Sequence, residues 1–190
     1  MTDVDWGWKL REAVDRIKTA YAHIGRSSGA PILAIVYPPE QEIAVLKEWH
    51  TLMASLAGSF DVRTVDVLDV TMRVVDEFGV DTIVSNFEDP MPGSDPQAEL
   101  GRQWVDRTAA QIHQLSAHSS GGPLPLVVVE RTSALYPAAT PRSVMQAVWD
   151  TEKASLDTVV VFLIPGTLIQ PRVYSFVNRR EEFMYRGDVL

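Results

Sequence analysis

Three six-residue runs, Ile32–Tyr37, Leu124–Val129 and Val159–Ile164, carry no charged side chain and are rich in β-branched residues. A strand with one face in water alternates polar and apolar residues. A run that is apolar throughout belongs to a strand covered on both faces, which is the habit of parallel sheets. Phe60–Val67 reads as a further strand, with Asp66 or Asp69 placed to cap the helix after it. Phe183–Arg186 reads as a short last strand. Between the strands, apolar residues recur at helical spacing. They are Leu10, Val14, Ile17, Tyr21 and Ile24 within residues 6–24, and Ile43, Leu46, Trp49, Met53 and Leu56 after Pro39. Further along come Val70, Val74 and Phe78, then Leu100, Trp104, Ile112 and Leu115 within 97–117, then Val144, Val148 and Thr151 within Ser143–Leu156. Strand and helix alternate, which predicts one α/β domain over residues 1–190. Its expected architecture is an open, mostly parallel sheet with helices on both faces, P-loop or Rossmann-like in outline.

The punctuation agrees with this order. Residues 26–31, Pro38-Pro39, Gly58 and residues 119–123 break the chain, and Pro165-Gly166 is expected to close the fourth strand. Val80–Phe87 fits a short strand or a helix equally well. With three prolines between Glu88 and Pro96, residues 81–97 are expected to form an irregular acidic loop.

Hydrophobic residues make up 46% of the 190, enough to bury a core. Cysteine is absent, which excludes disulfides, iron–sulfur clusters, thiolate zinc sites and a cysteine nucleophile. Met1–Arg11 is polar, with Asp3 and Asp5, unlike a signal peptide, and Val159–Ile164 is too short to cross a bilayer. A cytoplasmic protein is expected. Of the net charge of −8, all is accounted for by residues 61–99, with ten acids against Arg63 and Arg73. Phosphate backbones are repelled by such a surface, which disfavours direct nucleic-acid binding there. It is either a solvated face or a docking face for a basic partner.

In open α/β sheets ligands bind beyond the C-terminal strand ends. After the first strand stands Tyr37-Pro38-Pro39-Glu40, with no glycine, no lysine and two residues lacking an N–H. No GxxxxGK[ST] and no GxGxxG occurs anywhere, so the apparatus that cradles phosphates is missing. An enzyme with a non-standard site would draw on Glu130, Asp66 and Ser133 at strand ends, although Ser133 lacks the glycines of a nucleophile elbow. His113 and His118 are five apart and do not make an i, i+4 zinc pair, while His23 and His50 read as surface or boundary residues. Trp49, Trp104 and Trp149 sit at core-like helical positions, whereas Trp6 and Trp8 either cap the core or anchor another protein. No metal and no cofactor is expected.

Several segments carry a resemblance. Leu126–Pro137 reads LVVVERTSALYP; it is followed by Arg142, a helix from Ser143, the apolar run Val159–Gly166 ending in Pro-Gly, and Tyr185-Arg186. The first half adds Pro38–Glu40 and Asp66–Val70. Together these resemble the BrxB family, small accessory proteins of bacteriophage exclusion (BREX) systems. Departures are Glu130-Arg131-Thr132 in place of glycines, Thr167-Leu168 after the Pro-Gly, and Met184 before Tyr185. The resemblance implies a non-catalytic adaptor in an anti-phage complex that also holds a PglZ-like phosphatase-fold protein, an AAA+ ATPase and a methyltransferase. The residues expected to touch such partners are Tyr136, Pro137, Arg142, Pro165, Gly166, Tyr185 and Arg186. Two rivals stand beside it: the enzyme with a site at the strand ends, and an acidic regulatory protein that binds a basic partner.

Overall fold

The computed structural model describes residues 6–25, 29–117, 122–150 and 156–190. Helix α1 (Trp6–Ala20) runs into a 3₁₀ turn over Tyr21–His23, and β1 spans Ile32–Tyr37. Then come α2 (Glu42–Met53), β2 (Phe60–Asp66), α3 (Val67–Phe78), α4 (Val80–Glu88), α5 (Pro96–Ser116), β3 (Leu124–Glu130) and α6 (Pro141–Asp150). The chain ends in β4 (Val159–Gln170), β5 (Val173–Phe176), β6 (Arg180–Phe183) and β7 (Asp188–Val189).

The main sheet runs β2-β3-β4-β1-β7, and every neighbouring pair in it is parallel. The predicted α/β class with an open parallel sheet is what forms. Its order is not the 3-2-1-4-5-6 of dinucleotide-binding sheets. Because side chains alternate across a strand, the all-apolar runs feed two cores. Leu33, Ile35, Tyr37, Leu126, Val128, Val161 and Leu163 pack under α1 and α2. Ile32, Ala34, Val36, Val127, Val129, Val160, Phe162 and Ile164 pack on the opposite side under α3, α5 and α6. Asp66 caps α3 by accepting the Asp69 N–H at 3.3 Å, and Asp95 caps α5 by accepting that of Ala98 at 3.0 Å.

Four expectations are corrected. Pro165-Gly166 does not close the fourth strand: β4 runs on to Gln170 and leaves the main sheet. The missing N–H of Pro165 is tolerated because it stands opposite Tyr37, the last residue of β1. Gly166 is there for close approach, since a Cβ on it would lie 2.3 Å from the Ser175 carbonyl oxygen of β5. The acidic loop expected over 81–97 is helical through Glu88, and only 89–95 is irregular before Pro96 opens α5. Ile43 does not belong to the buried stripe of α2; it is 87% exposed, while Trp49 of that stripe is buried as expected and Val45 joins it. The strand expected at Phe183–Arg186 lies instead at Arg180–Phe183, where it pairs with an unpredicted β5 to form an antiparallel arm on β4, and the last strand is the unpredicted β7 beside β1. The expected helical residues 151–155 with Thr151, the breaks at 26–28 and 118–121, His118, and Asp3 and Asp5 lie outside the described residues. Among the described residues no helix is long and apolar enough to cross a membrane.

Candidate functional site

Two places have the right position or composition to act. The first is the C-terminal end of β1 and β3. Tyr37 closes β1, a 3₁₀ turn over Pro39–Gln41 follows, and Glu42 opens α2. The Tyr37 hydroxyl donates to Glu42 Oε1 at 3.2 Å, and Ser133 Oγ lies 3.1 Å from both oxygens of the same carboxylate. Glu130 at the end of β3 is 7% exposed, and its Oε2 meets His50 Nε2 of α2 at 2.7 Å. Burial pushes the Tyr37 hydroxyl far above its ordinary pKa, and the charges of Glu42 and Glu130 push the same way. Next in the chain, Arg131 adopts a left-handed backbone with φ 52° and pairs with Asp66 and Asp69. Thr132 Oγ1 donates to the Leu163 carbonyl at 2.7 Å.

This geometry has a chemical consequence. The positive end of a helix is where a phosphate would bind in a sheet of this kind. Here the first turn of α2 carries the chain's own carboxylate, Glu42, with Glu130 nearby. An incoming phosphate meets two acids and a proline-rich turn. The three residues of the enzyme reading are engaged elsewhere: Ser133 with Glu42, Glu130 with His50, and Asp66 with the α3 N-terminus and Arg131.

The second place is a groove of about 820 Å³ between α6, the start of β1 and the segment after β6. Arg142, Met145, Gln146 and Trp149 line it from α6, and Met184, Tyr185 and Arg186 from the other wall. The Arg186 guanidinium lies 4.3 Å from the centroid of the Trp149 ring, and that of Arg142 5.1 Å from the Tyr185 ring. Tyr185 also meets Phe183 edge-on, with centroids 4.7 Å apart. Arg142 is held from behind by Glu182, at 3.5 Å, a carboxylate that is itself buried and shared with Arg180. Tyr185 and Trp149 nevertheless remain 66% and 37% exposed.

Of the seven residues expected to touch a partner, Arg142, Tyr185 and Arg186 converge on this groove. Tyr136 and Pro137 sit apart, on the turn before α6 near the start of α5, with Tyr136 exposed and the Pro137 carbonyl taking a hydrogen bond from Gln97. Pro165 and Gly166 are buried within β4 and offer no contact surface. Trp149, expected in the core, lines the groove instead. The sequence did hold a signal for it: 142, 145, 146 and 149 are spaced i, i+3, i+4, i+7, a second stripe on the helix whose Val144–Val148 stripe is buried. Trp6 packs against the core under α1, and Trp8 is exposed. No protein-family model and no curated protein matches this chain.

Proposed function

We propose that this protein is a non-catalytic, cytoplasmic adaptor of a BREX-like anti-phage complex, and that it holds a larger protein partner in the groove between α6 and Tyr185-Arg186. The observation that carries the reading is the convergence of Arg142 with Tyr185 and Arg186, 43 residues apart in sequence, on one concave surface together with Trp149. Arginine and large aromatics are the residue types that dominate binding energy when buried at an interface. Here each ring already lies within cation–π distance of a guanidinium, which restrains its rotamers before a partner arrives and lessens the entropy lost on binding. The resemblance to the BrxB family supports the partner class: a PglZ-like phosphatase-fold protein, an AAA+ ATPase or a methyltransferase. The acids at the strand ends support a role without nucleotide chemistry.

The test is co-purification of the tagged chain with each of those three proteins from the same defence locus. One of them is expected to be retained, and Trp149→Ala with Tyr185→Ala to lower retention at least about tenfold. No association at roughly micromolar concentration with any of the three would sink the proposal.

A further inference from the structure

None of the residues of α4 is buried, yet its sequence is amphipathic. Val80, Ile83, Val84 and Phe87 recur at i, i+3, i+4 and i+7, the spacing of a stripe made to pack against something. Val80 is 59% exposed, and Val84 and Phe87 are 46% exposed. The apolar surface continues through Phe78 before the helix and Met91 after it, both exposed. Alongside, Phe78, Ile83, Phe87 and Leu100 form the apolar wall of a cavity of about 180 Å³ at the junction of α4 and α5, and Asn86, Glu99, Arg102 and Gln103 form its polar wall. Its volume is enough for one bulky side chain with an apolar body and a polar tip.

The surroundings decide what fits. At about 100° per residue, Asp81 and Glu88 fall beside Val84 along one edge of the stripe. From residue 74 to residue 101 the chain has seven acids and no lysine, arginine or histidine; the bases beside this stretch are Arg102 on the cavity wall and Arg107, which is paired with Glu77 at 2.8 Å, so the face stays acidic in balance. A second copy of this chain would bring acids against acids, and anionic membranes and nucleic acids are repelled for the same reason. We propose that this face docks a basic amphipathic helix of a partner protein. Its apolar residues lie along Val80, Val84 and Phe87, one bulky side chain enters the cavity beside Leu100, and lysines or arginines at its edge meet Asp81 and Glu88. This is the helix-in-groove mode of recognition. The face shares no residue with the α6 groove, so the inference does not rest on the adaptor reading.

The probe is a fluorescein-labelled leucine–lysine peptide of helical periodicity, titrated with the full chain by anisotropy. Two companions are a peptide of the same composition with the stripe scrambled, and one with glutamate for lysine. The helical leucine–lysine peptide is expected to bind, at least about tenfold tighter than either companion. Val84→Ser with Phe87→Ser should cost a similar factor, and Ile43→Ser on α2 should cost nothing. Asp81→Asn with Glu88→Gln leaves the apolar stripe intact and should weaken binding severalfold while flattening its salt dependence. Equal affinity for the scrambled peptide, or for the Val84→Ser/Phe87→Ser chain, would reduce the contact to bulk charge attraction and overturn the proposal. So would a concentration-dependent dimer in sedimentation that the same serine variant abolishes, because the occupant would then be a second copy.

Discussion

Replacing Gly101 by alanine is a contest between two effects of opposite sign. Gly101 lies inside α5, in the turn that faces the Tyr136–Ala139 segment, and it is buried. In an exposed helix the change would stabilise by about 1 kcal/mol, because glycine loses more backbone freedom than alanine on folding. Here a Cβ would stand 2.1 Å from the Ala138 carbonyl oxygen and 2.7 Å from its carbonyl carbon. Those are backbone atoms and cannot rotate away, so α5 or the turn must move by about 1 Å to restore van der Waals contact. Overpacking of this kind costs about 1–3 kcal/mol, and a rigid neighbour puts the site at or above the upper end. The net expectation is a loss of about 2 kcal/mol or more, or a fall in Tm of at least roughly 4–8 °C for a chain of this size. Urea and thermal unfolding measure it directly. The turn that moves carries Tyr136, whose ring meets Phe176 at 6.5 Å, so near-UV circular dichroism should change as well. A Gly101→Ala protein that melts higher than the parent would refute the argument, because helix propensity would then outweigh a contact that the geometry calls impossible.

Three further outcomes follow from the same reasoning. Tyr37 and Tyr174 are fully buried and held protonated by burial, each beside a carboxylate, so in the folded state they keep their protons well above pH 10 while the unfolded chain loses them. Their contribution is complete below pH 10 and is lost above it, at roughly 1 kcal/mol per pH unit for each tyrosine. Lys9, pushed down by burial, works in the opposite sense below pH 10.5, where the unfolded chain binds the extra proton. Denaturant melts from pH 9 to 11, with tyrosinate absorbance, should show Tyr37 and Tyr174 ionising only as the protein unfolds and Tyr21, also raised by burial, ionising late; ionisation of all five tyrosines together in the native state would contradict the burial. Asp66→Ala should cost about 1–2 kcal/mol by removing the α3 cap together with the Arg131 partner, and Asp66→Asn less, since an asparagine still caps; equal losses would assign the effect to charge alone. Calorimetric titration of ATP or GTP with magnesium should give no heat and no thermal shift; a saturable signal would mean that Glu42 yields its place to phosphate.

How much of this was legible beforehand divides along local and non-local lines. The all-apolar runs specified double-sided burial, and the alternation of their residues between two cores is a consequence of strand geometry alone. The cap at Asp66 was readable because capping uses residues within one turn. What failed depended on contacts far apart in sequence. Proline and glycine at 165 and 166 look like a strand terminus until β5 folds back within 2.3 Å of where a Cβ would be. Ile43 fits a helical stripe by spacing, but it stands in the first turn of α2, at the rim of the core, and is exposed, while Trp49 and Leu56 of the same stripe are buried. The Glu130–His50 contact spans 80 residues and has no local signature. Three of the groove residues could be named from sequence, whereas the fact that they share a wall with Trp149 could not.

The two candidate places are connected by the path of one strand. If β4 had stopped where its apolar run stops, the chain would have ended beside Tyr37, and the strand ends would be the obvious location for a ligand. Instead β4 carries the chain past the sheet into the β5–β6 arm, and Met184 N–H then donates to the Arg172 carbonyl at 2.8 Å. Arg172 returns the contact by donating to the Tyr185 and Gly187 carbonyls. Val36 N–H donates to the Leu190 carbonyl at 3.0 Å, and Leu190 N–H to that of Ala34 at 2.9 Å, which seats β7 against β1. Tyr185 and Arg186 are thereby fixed at both ends, with backbone hydrogen bonds on either side and no freedom to drift from α6. The groove is therefore a property of the rigid sheet rather than of a loose tail. It can present two arginines and two rings in a set geometry, while the polar groups at the strand ends are spent on one another.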